Sequence, residues 1–322
     1  MEGMQAVFSG SGVRVLYRPV GGSETIVVVW SAWRQRIPLW AHETSRVSGL
    51  FVIPDNDHWY QPLDADVLMQ AISEILSRYQ TRISIGSSMG GFAALAFADA
   101  IGADRVIAFC PQFSADPDVV PFEPRWLEDR NIIEQHHHRI RSVKAECHLV
   151  FDPEYDLDAK HIDRIVAQCP SAILWPLRFS AHPPTFAIAD MGWMDWLFEL
   201  ILTGRVGHEM LSPLVAAYHE RGVNTSITAV RNRLAYADGA KFQRLVNELD
   251  PNIIEGSQKA WNVAGWIMDR RQMAVTAAQR SEIEDLRKRV DDLQYALAQQ
   301  RAVPLWKKAK RWVRKLKQTF PA

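Results

Sequence analysis

The chain has 322 residues, 48% apolar and 23% charged, with 37 basic and 37 acidic side chains. This is the composition of a globular protein with a full core, and it excludes a disordered, collagen-like or disulfide-scaffold chain. The balance is uneven: eight Lys/Arg and no acid follow from Arg301, so the rest is net acidic and the tail suits an anionic partner.

Cys110, Cys147 and Cys169 are odd in number, widely spaced and without a C-x-x-C pair. Free thiols in a reducing compartment are expected. The N-terminus, MEGMQAVFSGSG, lacks the basic patch and apolar run of a signal peptide. No stretch reaches the roughly 18 to 20 uncharged apolar residues of a membrane span. The expected location is cytoplasmic.

Val13 to Arg18 alternates and reads as an outer strand. The run Thr25 to Trp30, TIVVVW, suits a strand covered on both faces, and Gly49 to Pro54 is another. The loop Asp55 to Gln61 follows, and its Asp57, His58, Trp59 and Tyr60 are candidate substrate contacts. Asp64 to Arg78 has helical spacing.

Thr81 to Ala100 is the centre of the pattern. A short β-favouring run ends at Gly86, and an Ala/Phe/Leu-rich helix begins after Ser88. Gly86-Ser87-Ser88-Met89-Gly90 spells G-x-S-x-G between strand and helix. There a serine takes a strained backbone, and the positions two before and two after must be small.

Further strands are read at Arg105 to Cys110, Cys147 to Phe151 and Ser171 to Leu177. An irregular excursion with three prolines runs from Ala115 to Val143. Ala159 to Gln168 reads as a helix with Asp158 as its N-cap. Thr185 to Thr203 reads as one long Trp-rich helix. Strands alternating with helices predict an α/β fold, a mostly parallel sheet doubly wound, with ligands at the carboxyl ends of its strands.

From Arg205 to about Gln279 strand signals vanish, and a helical appendage is expected. Ile283, Leu286, Val290, Leu293 and Leu297 form a short heptad seam, read either as self-association or as one amphipathic helix on the body. Residues 304–320 place Leu305, Trp306, Trp312, Leu316 and Phe320 opposite a dense Lys/Arg face. That is the pattern of a helix lying in an anionic membrane interface. A solvated basic tail and a protein or nucleic-acid partner are the alternatives; no nucleic-acid motif accompanies it. The expected divisions are 1–204, 205–279, 280–300 and 301–322.

A serine nucleophile needs a base, and the base needs an orienting carboxylate. The chain offers the order Ser88, then an acidic cluster after CHLVF, then His182. In IGSSMGG, VFDPEYDLD and FSAHPP it resembles the α/β-hydrolase superfamily over roughly 13–204. The resemblance implies acyl transfer with Ser88 as nucleophile and His182 as general base. It implies an oxyanion hole from the N–H of Met89 and one near Ala32 or Trp33, although Ser31-Ala32-Trp33 departs from the HGGG-type run. For the acid, Asp156 ranks first, Asp152 a close second and Asp158 third. No cofactor is expected. His136-His137-His138 do not converge on one ion without help from elsewhere. The tail is similar to those of bacterial enzymes and accessory proteins that build surface polysaccharides. That similarity points to a glycan-linked acyl ester, with a catalytically inactive scaffold for envelope assembly as the alternative.

Overall fold

In the computed structural model, residues 3–126, 136–204 and 207–235 are described. Two compact units divide the chain, Met1–Ser257 and Gln258–Ala322, and all described residues lie in the first. The heptad at 283–297 and the basic stretch 304–320 lie outside the described residues.

Eight strands form one sheet: β1 (Gln5–Gly10), β2 (Val13–Arg18), β3 (Thr25–Trp30), β4 (Ser48–Pro54), β5 (Thr81–Ser87), β6 (Arg105–Phe109), β7 (Glu146–Phe151) and β8 (Ile173–Pro176). Their spatial order is β1-β2-β4-β3-β5-β6-β7-β8. β2 runs antiparallel to β1 and β4, while β4, β3 and β5 to β8 are mutually parallel. The α/β class and mostly parallel sheet are as the alternation of elements predicts. The chain leaves β3 for β4 on one side and returns to β5 on the other. The crevice beyond these two strands is therefore the topological switch point where open α/β sheets bind ligands.

The central strands β3, β4 and β6 bury both faces, which is why they read as continuous apolar runs. One face packs Val28, Trp30 and Val52 beneath α1 (Ala65–Leu76), α2 (Met89–Ala96) and α3 (Asp156–Gln168). The other packs Val29, Ile85 and Phe109 beneath α4 (Thr185–Asp190), α5 (Met194–Thr203), α6 (Ser212–Ala217) and α8 (Ile227–Ala235), with the one-turn α7 (Val223–Thr225) between the last two. α2 is buried on every side, as its uniformly apolar sequence requires.

Three local readings differ from the sequence expectations. The edge strand is β1, which QAVFSG hides behind polar residues and a glycine, so Val13–Arg18 lies one strand inside. The expected helix from Thr185 to Thr203 is two helices, broken where Gly192 takes φ 69°. Sequence texture changes at 204, but packing does not. Met210, Leu214, Tyr218 and Ala229 belong to the same core as Ile85 and Phe109.

Candidate active site

Ser88 joins β5 to α2 at φ 55° and ψ −122°, outside the regions an L-residue normally occupies. Its N–H donates to Phe109 O at 2.9 Å, tying the turn to the neighbouring strand. A Cβ on Gly86 would lie 2.1 Å from Gly90 O, and one on Gly90 would lie 2.2 Å from Trp30 O. Both obstacles are main chain, so neither position admits a side chain. Met89 opens α2, and its N–H therefore has no acceptor one turn back within the helix.

His182 follows β8 in the loop 177–184. Its Nε2 lies 2.9 Å from Ser88 Oγ, and its Nδ1 lies 2.7 Å from Asp158 Oδ2. A carboxylate only accepts, so Nδ1 carries the proton and neutral His182 offers Nε2 as an acceptor to Ser88. Gln112, fully buried just past β6, places Oε1 3.1 Å from Ser88 Oγ while its Nε2 donates to Cys110 O. The hydroxyl proton thus has two acceptors. When His182 is neutral it points to Nε2, and when His182 is charged it points to Gln112. Gln112 escaped the sequence reading, although its place after a strand in Pro111-Gln112-Phe113-Ser114 was visible.

The carboxylate at His182 is the one ranked third. Asp158 is not an N-cap: α3 begins at Asp156, so Asp158 sits inside the first turn on the buried face with His161, Ile162 and Ile165. Asp156 points to solvent and pairs with Lys160 Nζ at 2.6 Å, one helical turn on. Asp152 is fully buried but faces the backbone. It accepts from the N–H groups of Glu154 (2.9 Å), Phe179 (2.9 Å) and Ala181 (2.8 Å), so it shapes the loop that carries His182. Its pKa is raised because burial outweighs those hydrogen bonds.

A charged relay from the excursion backs Asp158. Arg125 Nη1 donates to Asp158 Oδ1 at 2.9 Å, and Arg125 Nη2 donates to Glu123 Oε2 at 2.6 Å. His161 Nδ1 accepts the Phe113 N–H at 3.0 Å, which leaves Nε2 as the protonated nitrogen, donating to Glu123 Oε2 at 2.9 Å. His161 is a neutral donor here, since burial lowers its pKa. Burial alone would raise the Glu123 pKa, but the hydrogen bonds from His161 and Arg125 lower it to about 2. For His182 the order is similar. Burial would depress the imidazole, yet the Cys110 sulfur and the Asp158 carboxylate prevail and raise it to about 10.

Ser88 and His182 open onto a cavity of about 360 Å³ lined by Ala32, Trp33, Leu39, Trp40, Trp126 and Phe186, among others. Ala32 and Trp33, the residues expected to offer the second oxyanion donor, line this cavity together with Ser88. Asp57, His58, Trp59 and Tyr60 do not line it, which corrects their expected role as substrate contacts. Asp57 holds the loop after β3, accepting from Arg34 N at 2.7 Å and pairing with Arg36 at 2.8 Å. Both ring nitrogens of His58 bond backbone groups, of Gly12 and Tyr60. Trp59 is buried against Phe92 and Trp126, and the Tyr60 hydroxyl donates to Ser31 O at 2.7 Å. Among the described residues His136, His137 and His138 join no group of three metal-ligating side chains; the one such group is Cys110, Asp158 and His182.

No protein-family model and no curated protein matches the sequence. Among solved structures, the chain is similar to the capsule O-acetyltransferase of Neisseria meningitidis serogroup A, with 14% identity and a TM-score of 0.39 over 54% of this chain and 85% of that one. It is similar to an esterase of Pyrococcus furiosus, with 12% identity and a TM-score of 0.43 over 61% and 88%. It is also similar to a dienelactone hydrolase of Anabaena variabilis, with 15% identity and a TM-score of 0.38 over 56% and 89%. At such identities and TM-scores the likeness assigns no family; what the chain's own topology establishes is an α/β fold built on a mostly parallel, doubly wound sheet.

Proposed function

We propose that the chain is a serine-dependent acyl-ester hydrolase or acyltransferase. The observation that supports this is the hydrogen-bonded series Ser88 Oγ, His182 Nε2 and Nδ1, Asp158 Oδ2 at the floor of a cavity. Ser88 Oγ attacks the acyl carbonyl and its proton passes to His182 Nε2. The carbonyl oxygen, now an anion, is held by the N–H of Met89 and one from Ala32 or Trp33. On collapse the ester C–O bond breaks, the alcohol leaves with the proton from Nε2, and the acyl group stays on Ser88. Water or a second alcohol then repeats the sequence, with His182 again taking its proton. Asp158 fixes the imidazole tautomer and balances its charge.

Among the described residues that line the cavity, His182 is the one titratable side chain, and the walls they form are mostly apolar. A small neutral acyl group fits such walls. The flat faces of Trp33, Trp126 and Phe186 suit the C–H face of a sugar, so the alcohol half is proposed to be a glycan. The basic stretch 304–320 is proposed to hold the enzyme at an anionic membrane surface, and 283–297 to pair two copies. Both rest on sequence pattern, and co-sedimentation with anionic vesicles, with and without 302–322, tests the first.

The test of the enzyme reading is labelling by a fluorophosphonate probe together with hydrolysis of an aryl acetate. Wild type is expected to show both, and Ser88→Ala neither. A wild-type protein that takes no label and cleaves no ester returns the chain to the alternative of an inactive hydrolase-fold scaffold.

A further inference from the structure

One side chain beside the site makes and breaks no bond in this chemistry. Cys110 follows β6 with φ 38°, fully buried, and its thiol lies 3.8 Å from Ser87 Oγ. One ligand atom each from Cys110, Asp158 and His182 lies within 4.8 Å of the others. Sulfur, imidazole nitrogen and carboxylate oxygen form a donor set that Zn²⁺ prefers. Zinc bond lengths put neighbouring ligand atoms of a tetrahedral site about 3.3 to 3.7 Å apart. The three atoms are thus within about 1 Å of a binding arrangement, and the Asp158–His182 pair needs to open by less than that.

We propose that Cys110, Asp158 and His182 form an inhibitory Zn²⁺ site whose occupation switches off Ser88. The ion takes the place of the proton between His182 Nδ1 and Asp158 Oδ2. Cys110 releases its thiol proton and binds as thiolate. Thiolate and carboxylate balance the two positive charges, and no group changes oxidation state. From the charged imidazole the Nδ1 proton leaves to solvent and Nε2 keeps its own, and from the neutral one it ends on Nε2; either way the imidazole ligated through Nδ1 carries its proton on Nε2. Nε2 is then a donor and no longer accepts the Ser88 proton. Arg125 keeps Oδ1, so the carboxylate has Oδ2 left for the metal.

The inhibition rests on the proposed function, but the site does not, and the test separates them. Full-length reduced protein is titrated with Co²⁺ as a spectroscopic stand-in for Zn²⁺, and the near-ultraviolet thiolate-to-cobalt charge-transfer band is read. Wild type and Ser88→Ala are expected to give the band and Cys110→Ala to lose it, while Cys147→Ala and Cys169→Ala keep it. In parallel, Zn²⁺ is expected to suppress fluorophosphonate labelling of wild type. Cys110→Ala and Cys110→Ser, each compared with its own labelling in the absence of Zn²⁺, are expected to need about tenfold more Zn²⁺, or beyond, for the same fractional suppression. Absence of the band in wild type, or its survival in Cys110→Ala, overturns the site. Equal Zn²⁺ sensitivity with and without Cys110 overturns the inhibition. A band without any labelling keeps the site and removes the enzyme reading instead.

Discussion

Arg125 and Asp158 meet through the carboxylate oxygen that His182 does not use, at 2.9 Å, with Asp158 wholly buried. The acid is therefore gripped on both oxygens, and one grip comes from the irregular segment between β6 and β7. Arg125 thus completes the surroundings of the carboxylate that faces His182.

Arg125→Met is expected to act twice. It leaves Glu123 and Asp158 as buried charges without their cation, a loss of about 3 to 5 kcal/mol. It also makes Asp158 the stronger partner for a charged imidazole, so the acid limb of kcat/KM moves to higher pH. Chemical denaturation and a pH–rate profile measure the two. Glu123→Gln added to Arg125→Met should recover part of the stability but not the shifted limb.

The three aspartates are separable by substitution. Asp158→Asn is expected to lower kcat by about 10²- to 10⁴-fold. Asp156→Asn should leave kcat/KM within about twofold, since an exposed helix pair contributes a few tenths of a kcal/mol. Asp152→Asn turns an N–H donor toward backbone N–H groups and should cost about 1 to 3 kcal/mol of stability while loosening the His182 loop. Steady-state kinetics and thermal unfolding of the three variants decide. Equal losses at 156 and 158 would contradict the assignment.

Activity should climb with pH. The base is needed neutral, and the His182 pKa stands at about 10, so kcat/KM rises through the alkaline range. Asp158→Asn removes a charge that raises this pKa and should move the limb down. Stability runs the opposite way. A raised folded pKa contributes stability below the unfolded value of about 6.5 and loses it as pH rises through the folded one. Kinetics and unfolding midpoints from pH 6 to 10.5 test both slopes.

Gly90→Ala should destroy the site. Its Cβ would meet a backbone carbonyl that has nowhere to go, and a cost of about 3 kcal/mol or more is expected. Gly21→Ala, with nothing within 4 Å, is the control and should be close to neutral. Fluorophosphonate labelling and denaturation curves for the two give the comparison.

What was legible in the sequence was local. Strand, glycine, serine, glycine and helix are adjacent, so the turn's steric demand is written in five residues. His182 was legible through its order along the chain and its place after a strand. The acid was not, because Asp156 lies nearer the place the resemblance implies and Asp158 was read as a helix cap, with helical phase left unweighed. Asp158, Ile162 and Ile165 fall on one stripe at i, i+4 and i+7, and that spacing was the available signal. Arg125 and Glu123 had none: they reach Asp158 and His161 across 33 and 38 residues from a segment without periodicity. The loop 57–60 misled because aromatic and polar residues after a strand look like a binding surface. Backbone groups of Gly12, Ser31 and Arg34 occupy its polar atoms instead.

The collision partners of Gly86 and Gly90 are the carbonyls of Gly90 and Trp30, not side chains. The pose of Ser88 is thus templated by main chain, while the cavity before it is furnished by side chains. Under the proposed function, exchanging Leu39, Trp126 or Phe186 is expected to redirect substrate choice with Ser88 left in place. If the proposed chemistry holds, specificity and reactivity are separate layers of this molecule, open to independent re-engineering.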